Sequence, residues 1–452
     1  MGSPYLRGLM VLSPVTALPP SKTSKTLYLD RYRAVRRWSE QICQPLQTED
    51  YVIQTMPDVS PPKWHLAHTT WFFETFVLLP FMPDYRPFHD RYGYLFNSYY
   101  EAVGDRHPRP QRGLLARPTV ADIYAYRAFV DESMEKLLRD CGDEAIEAMN
   151  TIVILGLHHE QQHQELLLTD IKHIFGMNPL CPPYQEGTRS LLHSAKSLSS
   201  ADQAWMSYPG GLYEIGHDPD QGFAFDNESP RHRVYLHPFA LADRLVTCGE
   251  YLKFIQDGGY HTAAHWLSEG WHRLQTEGWQ APLYWHDRGG EWWIMTLQGL
   301  KPLCLEEPVC HLSYFEADAY AAWTGYRLPS EAEWEVGVMG SGGIQDQEFP
   351  AQDTQIPVCH PQPLSSEVSS DRLQQVCDSL WQWTQSAYLP YPGFRAAPGA
   401  IGEYNGKFMC NQMVLRGGSC ATPPGHLRPT YRNFFPPDAR WQFSGIRLAK
   451  SL

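Results

Sequence analysis

Apolar residues at Ile152, Leu155, Leu166, Leu167 and Ile171 recur at helical spacing within a proline-free run from Asp143 to Phe175, which Gly176 and Pro179 close. The pattern predicts one long helix set into a packed layer. Three more helices are predicted before it. Lys22 to Gln44 carries Leu27, Leu29, Tyr32 and Val35 at looser spacing, and Trp64 to Leu79 is apolar almost all round, so that helix should be buried. Ser60-Pro61-Pro62 reads as its cap and first turn, with Pro80 and Pro83 as its end. Thr119 and Asp122 stand at capping-box spacing ahead of Val120, Ile123, Phe129, Val130, Leu137 and Leu138, the apolar face of the third. The connection from Phe81 to Pro118 is long for a compact domain, and its tyrosines and arginines predict an ordered, functional segment.

Past a Ser- and Ala-rich tract the periodicity changes. Short extended runs, Gly210 to Gly216 and Arg233 to Leu236, alternate with short helices over Cys248–Gln256 and Tyr314–Thr324 and from Ser330 onward, with tryptophans spread between glycines. Leu415 to Ser419 reads as a strand ending in a glycine turn, and Gly445 to Leu448 as a final core strand, both as scaffold. The whole predicts a multidomain α and α+β chain: a helical bundle over 20–193, a linker over 194–204 and a loop-rich α+β domain over 205–452.

Composition narrows the class. A chain of 452 residues has room for at least two cores, and 43% apolar with 19% charged residues is ordinary for a globular protein. A net charge of -13 argues against a general nucleic-acid surface, although a local pocket can still be basic. The ten cysteines include no Cys-x-x-Cys pair and read as reduced thiols. No apolar run reaches the roughly eighteen residues of a membrane span, and no cleavable signal core is visible. The expectation is a cytoplasmic protein acting on small molecules, with no membrane or nucleic-acid partner; these patterns encode no oligomeric state.

The chemistry starts with His159 and His163, four residues apart on the long helix and therefore on one face. Two neutral imidazoles so placed can share a metal ion. The second helix offers His65 and His68, either of which can complete a three-histidine set. The string from His159 to His163 also satisfies the His-Glu-x-x-His pattern of zinc peptidases, in which Glu160 would activate a zinc-bound water. A zinc hydrolase therefore stands as an alternative. A third imidazole upstream and the arginine-rich aromatic segment suit Fe(II) and oxygen at least as well, because three neutral ligands leave coordination positions open.

The helix string His159 to Glu165, the upstream Leu66-Ala67-His68, and the tail segments Tyr431-Arg432-Asn433 and Phe443 to Arg447 together resemble the ergothioneine-biosynthesis sulfoxide synthases, over nearly the whole chain. The resemblance implies a DinB-like four-helix bundle, then a formylglycine-generating-enzyme or C-type-lectin-like domain, with the active site between them. It implies Fe(II) held by His68, His159 and His163. The implied reaction uses O2 to join the sulfur of cysteine, or of γ-glutamylcysteine, to imidazole C2 of hercynine (Nα-trimethylhistidine) as a sulfoxide. Arg109 and Arg112 resemble the arginines that take the sulfur donor's carboxylate. Gln162, Asn433 and Phe434 are candidates to bind hercynine, and Tyr99 or Tyr100, with Tyr100 preferred, is the candidate phenol for proton donation. Family members using γ-glutamylcysteine carry an aspartate where this chain has Phe435, so free L-cysteine is the expected donor. A related branch attaches cysteine to C5 of histidine for ovothiol, and this remains an alternative, as does a non-enzymatic binding module built on the lectin-like half. No cysteine follows Cys420, so the second domain is expected to serve as scaffold and lid rather than as a copper-dependent oxidase.

Overall fold

A computed structural model of the chain describes residues 22–185, 203–342, 356–364, 372–397, 399 and 402–452. The expected linker at 194–204 therefore lies, up to residue 202, outside the described residues, as does the end of the expected bundle segment from residue 186.

Four long helices form the first half: α1 (Lys22–Cys43), α2 (Pro62–Phe73), α3 (Val120–Asp140) and α4 (Asp143–Gly176). α4 lies against α1 and α2, and α2 against α3. The capping box before α3 forms in full: the Thr119 hydroxyl accepts from Asp122 N at 3.1 Å while the Asp122 carboxylate accepts from Thr119 N at 2.9 Å. Every residue of α2 is buried, as its all-round apolarity predicts.

The ends of α2 depart from expectation. Pro61 holds the cap position without a side-chain bond, and Ser60 is no cap. With Pro62 opening the helix there is one fewer N–H to satisfy. Ser60 is used at long range instead: its N–H donates to Asp170 Oδ2 at 2.8 Å and its hydroxyl accepts from Arg112 Nη1 at 2.9 Å. At the other end the helix widens into a π turn over Glu74–Leu78 and closes over Leu79–Phe81, so Pro80 sits inside the last turn rather than ending it. The widened turn begins at Glu74, whose carboxylate accepts from the hydroxyls of Tyr85 (2.7 Å) and Tyr126 (2.6 Å). The segment from Phe81 to Pro118 is ordered around three short turns, Tyr92–Phe96, Glu101–Val103 and Arg109–Leu114.

The second half is built from small sheets. β1 (Trp205–Tyr208), β4 (Phe239–Ala242) and β12 (Ala449–Ser451) form one sheet, and β2 (Gly211–Ile215) and β3 (His232–Leu236) a hairpin. β5 (Trp285–Asp287), β6 (Trp292–Thr296) and β7 (Gly299–Pro302) form a meander. The fourth sheet has the order β10 (Asn433–Phe435), β9 (Met413–Arg416), β8 (Trp381–Ala387), β11 (Ser444–Gly445). The helices expected at Cys248–Gln256 and Tyr314–Thr324 form, and Ser330 caps a third over Glu331–Gly340. β9 ends in the expected glycine turn: Gly417 has φ +104°, and a Cβ there would lie 2.5 Å from the Val376 carbonyl oxygen.

Gly445 to Leu448 is not one strand. Ser444 and Gly445 pair with β8 while Ala449 to Ser451 pair with β4, so Ile446, Arg447 and Leu448 cross between two sheets. The fully buried Arg447 makes this crossing possible by donating to Gln382 Oε1 (2.7 Å) and the Ala242 carbonyl (2.7 Å).

α4 is the spine shared by both halves. A single hydrophobic cluster contains its Leu167, Leu168 and Ile171 together with Trp381, Leu415 and Phe443 of the second half. Across that contact, the Glu165 carboxylate accepts from Trp381 Nε1 (2.7 Å), Ser419 Oγ (2.5 Å) and Thr422 Oγ1 (2.6 Å).

Candidate metal centre and substrate pocket

α2 contributes His68 and α4 contributes His159 and His163, and one ligand atom from each lies within 4.8 Å of the other two. His68 Nδ1 donates to the Phe96 carbonyl at 2.6 Å, which leaves its Nε2 lone pair pointing at His159 Nε2, 3.2 Å away. Burial is the main cause holding these imidazoles neutral: it pulls His159 down to about 4 and His68 and His163 well below their ordinary value, with neighbouring histidines adding to the last two. His159 Nδ1 is buried with no hydrogen-bond partner. Neutral imidazoles brought this close, with lone pairs facing one another, repel unless a cation or proton lies between them. The donor set fits a divalent transition metal.

His65, the other candidate on α2, is not in this set. Its Nε2 lies 3.0 Å from Asp170 Oδ2 and its Nδ1 2.9 Å from His163 Nδ1. Three residues separate His65 from His68 on a buried helix, a rotation large enough to send one imidazole into the centre and the other behind it.

Glu160 leaves the centre altogether. It is fully buried among α1, α3 and α4, accepting from Arg36 Nη1 (2.9 Å), Arg127 Nη2 (2.8 Å) and Ser39 Oγ (2.7 Å). Burial alone would raise its pKa, but the two guanidiniums and these hydrogen bonds hold it at about 2. A carboxylate so engaged is not available to activate a metal-bound water, and this removes the zinc-peptidase reading of the His-Glu-x-x-His string.

The three-histidine cluster borders a cavity of about 290 Å³ between the bundle and the second half. Arg109 and Arg112 enter it from one short 3₁₀ turn, whose threefold repeat puts both on the same edge. Arg112 stacks on Trp64, with its guanidinium carbon 3.3 Å from the ring centroid, and donates to Ser60 Oγ and to Ser98 Oγ (3.0 Å). Arg109 donates to the Tyr99 hydroxyl and to the Asp58 carbonyl (2.6 Å). The Nε atoms of both arginines are buried without a partner. Burial, with Arg109 beside it, brings Arg112 down to about 9. Two adjacent guanidiniums at a cavity wall suit a carboxylate.

Family models match both halves: the DinB superfamily over residues 31–167 and the sulfatase-modifying factor enzyme 1-like domain over residues 192–452. Hercynine oxygenase of Mycolicibacterium smegmatis is 31% identical over 88% of this chain and 92% of its own length. Hercynine oxygenase of Mycobacterium tuberculosis is 31% identical over 87% of this chain and 91% of its own. The chain belongs to the hercynine oxygenase family. A shorter match, 28% identical over 51% of this chain and 28% of the relative, is to ergothioneine biosynthesis protein 1 of Schizosaccharomyces pombe. Family membership gives the molecule its class, an oxygenase with a DinB-like bundle and a sulfatase-modifying-factor-like domain. Among the described residues no helix is long and apolar enough to cross a membrane.

Tyr99, Tyr100, Gln162, Asn433, Phe434 and Phe435, the remaining candidates from the sequence, all line the same cavity. Tyr99 and Tyr100 both do so although adjacent, because the backbone at Tyr100 is irregular (φ -90°, ψ 79°). The Tyr100 ring packs near Trp71 (5.6 Å) and Phe76 (5.2 Å). Gln162 Nε2 donates to the Tyr431 hydroxyl at 2.7 Å, joining α4 to the second half. On β10, Asn433 accepts from Phe434 N at 2.9 Å, Phe434 stacks on Tyr388 at 4.1 Å, and Phe435 meets the Trp441 ring edge-on at 5.6 Å. Sequence reasoning missed Asp170, Phe408, His426 and Tyr431 as wall residues. Asp170 had a readable signal, a charge seven residues beyond His163 on the predicted helix; His426 and Phe408 sit on irregular backbone and had none.

Proposed function

We propose that this chain is an Fe(II)- and O2-dependent sulfoxide synthase that joins the sulfur of L-cysteine to imidazole C2 of hercynine in ergothioneine biosynthesis. The observation that carries the reading is the juxtaposition, at one cavity, of a three-histidine cluster and two arginines with buried, unpartnered Nε donors. His68, His159 and His163 would hold the iron, which supplies oxygen activation and favours the thiolate form of a coordinated thiol.

The protein's own contribution is binding and orientation. Arg109 and Arg112 take the carboxylate of cysteine, and Asp58, exposed at the cavity mouth, meets its ammonium group. Gln162, held by Tyr431, offers its amide to hercynine. Asn433 faces the hercynine carboxylate, and Phe434 lies on the side of the quaternary ammonium, whose charge suits an aromatic wall. Tyr99 is tied by its hydroxyl to Arg109 and belongs with the carboxylate clamp, which makes Tyr100 the phenol that delivers a proton to reduced oxygen. Phe435, packed on Trp441, gives the ammonium of a γ-glutamyl extension no acceptor, and this favours free cysteine.

The test is anaerobic reconstitution with Fe(II), then oxygen uptake and mass spectrometry with hercynine plus cysteine, hercynine plus γ-glutamylcysteine, and histidine plus cysteine in parallel. The expected result is a hercynine–cysteine sulfoxide that requires iron. A product with histidine and not with hercynine would move the chain to the C5 branch, and the absence of oxygen uptake in all three would overturn the reading.

A further inference from the structure

We propose that His65 and Asp170 act as positioning residues for the metal centre, forming a directed hydrogen-bond relay that sets the tautomer of His163. This rests on the three-histidine metal reading and adds to it two residues outside the ligand set. The relay follows from donor and acceptor counting. Asp170 Oδ2 is an acceptor; it already takes the Ser60 N–H at 2.8 Å and lies 3.0 Å from His65 Nε2, so the His65 proton sits on Nε2. In neutral His65, Nδ1 is then an acceptor, and its partner among the described residues, 2.9 Å away, is His163 Nδ1, which carries the proton. His163 is left with a bare lone pair on Nε2, the atom available to the centre. Each bond forces the next.

The arrangement is built rather than incidental. His65 and Asp170 are 3% exposed each, and both stand in the cavity wall beside the three-histidine cluster. The two residues come from different helices, α2 and α4, so the relay exists only when the bundle is assembled. It also reaches the arginine clamp: the same Ser60 whose N–H ends on Asp170 accepts from Arg112 through its hydroxyl. The metal ligand and the carboxylate receptor therefore share one rigid frame. His68 is oriented by a different device, the Phe96 carbonyl, so the relay is specific to His163. Outer partners of ligating histidines raise ligand basicity and fix ring orientation.

The experiment measures anaerobic Fe(II) affinity by chelator competition, with melting temperature and the exchangeable imidazole N–H resonances of the Co(II)-substituted protein as further readouts, on full-length native protein and three variants. His65→Leu removes both bonds, and its affinity should fall about 10- to 100-fold with loss of one slowly exchanging ligand N–H resonance. His65→Gln offers an amide oxygen toward His163 and an amide N–H toward Asp170, and should recover most of the affinity and that resonance. Asp170→Asn keeps an acceptor for both Ser60 and His65, because both bonds land on the same oxygen, and should fold; losing the charge should cost less than about tenfold. Native affinity in His65→Leu, or retention of the slowly exchanging ligand N–H resonance in that variant, would overturn the relay. If the native protein itself binds no iron, the three-histidine reading falls and the relay with it, a result distinguishable from failure of the relay alone.

Discussion

His159 and Glu160 follow one another along α4 and reach different partners. His159 points its Nε2 to 3.2 Å from His68 Nε2, whereas Glu160 reaches into the bundle to Arg36 and Arg127 at 2.9 and 2.8 Å. One peptide bond separates the proposed metal chemistry from the ion-pair core that holds the bundle together. The consequence is that Glu160 should matter to folding and hardly at all to chemistry.

Glu160→Gln should therefore destabilise the protein by about 3–5 kcal/mol, the usual cost of leaving buried guanidiniums without their anion, while retaining one iron per chain. The pH dependence has a definite sign. The folded carboxyl stands at about 2 against an ordinary 4.5, so its stabilisation is fully present above about pH 4.5 and is lost as pH falls toward 2. Acid unfolding followed by circular dichroism should show a shallower loss over that window in Glu160→Gln than in the native protein. An intact fold with lost iron would restore a catalytic role for Glu160.

Replacing His68 or His163 by alanine should abolish stoichiometric iron binding and iron-dependent oxygen uptake, because two imidazoles are a poor site for Fe(II). Each substitution also gives up a hydrogen bond, to the Phe96 carbonyl or to His65, so the metal-free variants should melt somewhat below the metal-free native protein while keeping its far-ultraviolet spectrum. Retention of one tightly bound iron in either variant, by metal analysis after desalting, would remove that histidine from the ligand set.

Arg112→Lys tests the carboxylate clamp. The substitution gives up the planar fork, and the burial that brings Arg112 down to about 9 disfavours the lysine's charge as well. Losing one hydrogen bond to a charged group costs about 1.5–3 kcal/mol, so the KM for cysteine should rise about 10- to 150-fold with the KM for hercynine nearly unchanged. Equal effects on both substrates would mean that Arg112 supports the cavity rather than the thiol donor.

What could be read in advance follows the range of the forces involved. α4, the capping box of Thr119 with Asp122 and the helix begun at Ser330 obey local rules of period and capping, and they form as the sequence predicts. Ser60 obeys a long-range rule instead, because its partners Asp170 and Arg112 are distant in the chain and outcompete a local cap. Arg447 is similar: its burial against Gln382 and Ala242 turns an expected strand into a crossing between sheets. Spacing brought His65 and His68 forward together, but only the packing of α2 on α4 separates them, since a rotation along one buried helix has no signature in residue types. The pairing of Gln162 with Tyr431 belongs to the same class, a contact across two halves that fold by different patterns.

In the proposed reaction, β10 is the place where the sulfur donor would be chosen. Phe435 lines the cavity and packs edge-on against Trp441 at 5.6 Å, so a γ-glutamyl ammonium arriving there would lose hydration and gain no partner. Phe435→Asp supplies the missing acceptor at the same strand position. It also removes an aromatic contact, worth about 0.5–1.5 kcal/mol beyond its area, so a modest fall in melting temperature should accompany it. The decisive quantity is a ratio, kcat/KM for γ-glutamylcysteine over that for cysteine, which cancels any general loss of activity. That ratio should rise at least about tenfold, since one charge-assisted hydrogen bond is worth about 1.5 kcal/mol or more. Competition assays with both thiols present, read by mass spectrometry of the two sulfoxides, measure it directly. An unchanged ratio in a folded, iron-loaded variant would show that thiol choice lies elsewhere, with Arg109 and the cavity mouth near Asp58 the next residues to change.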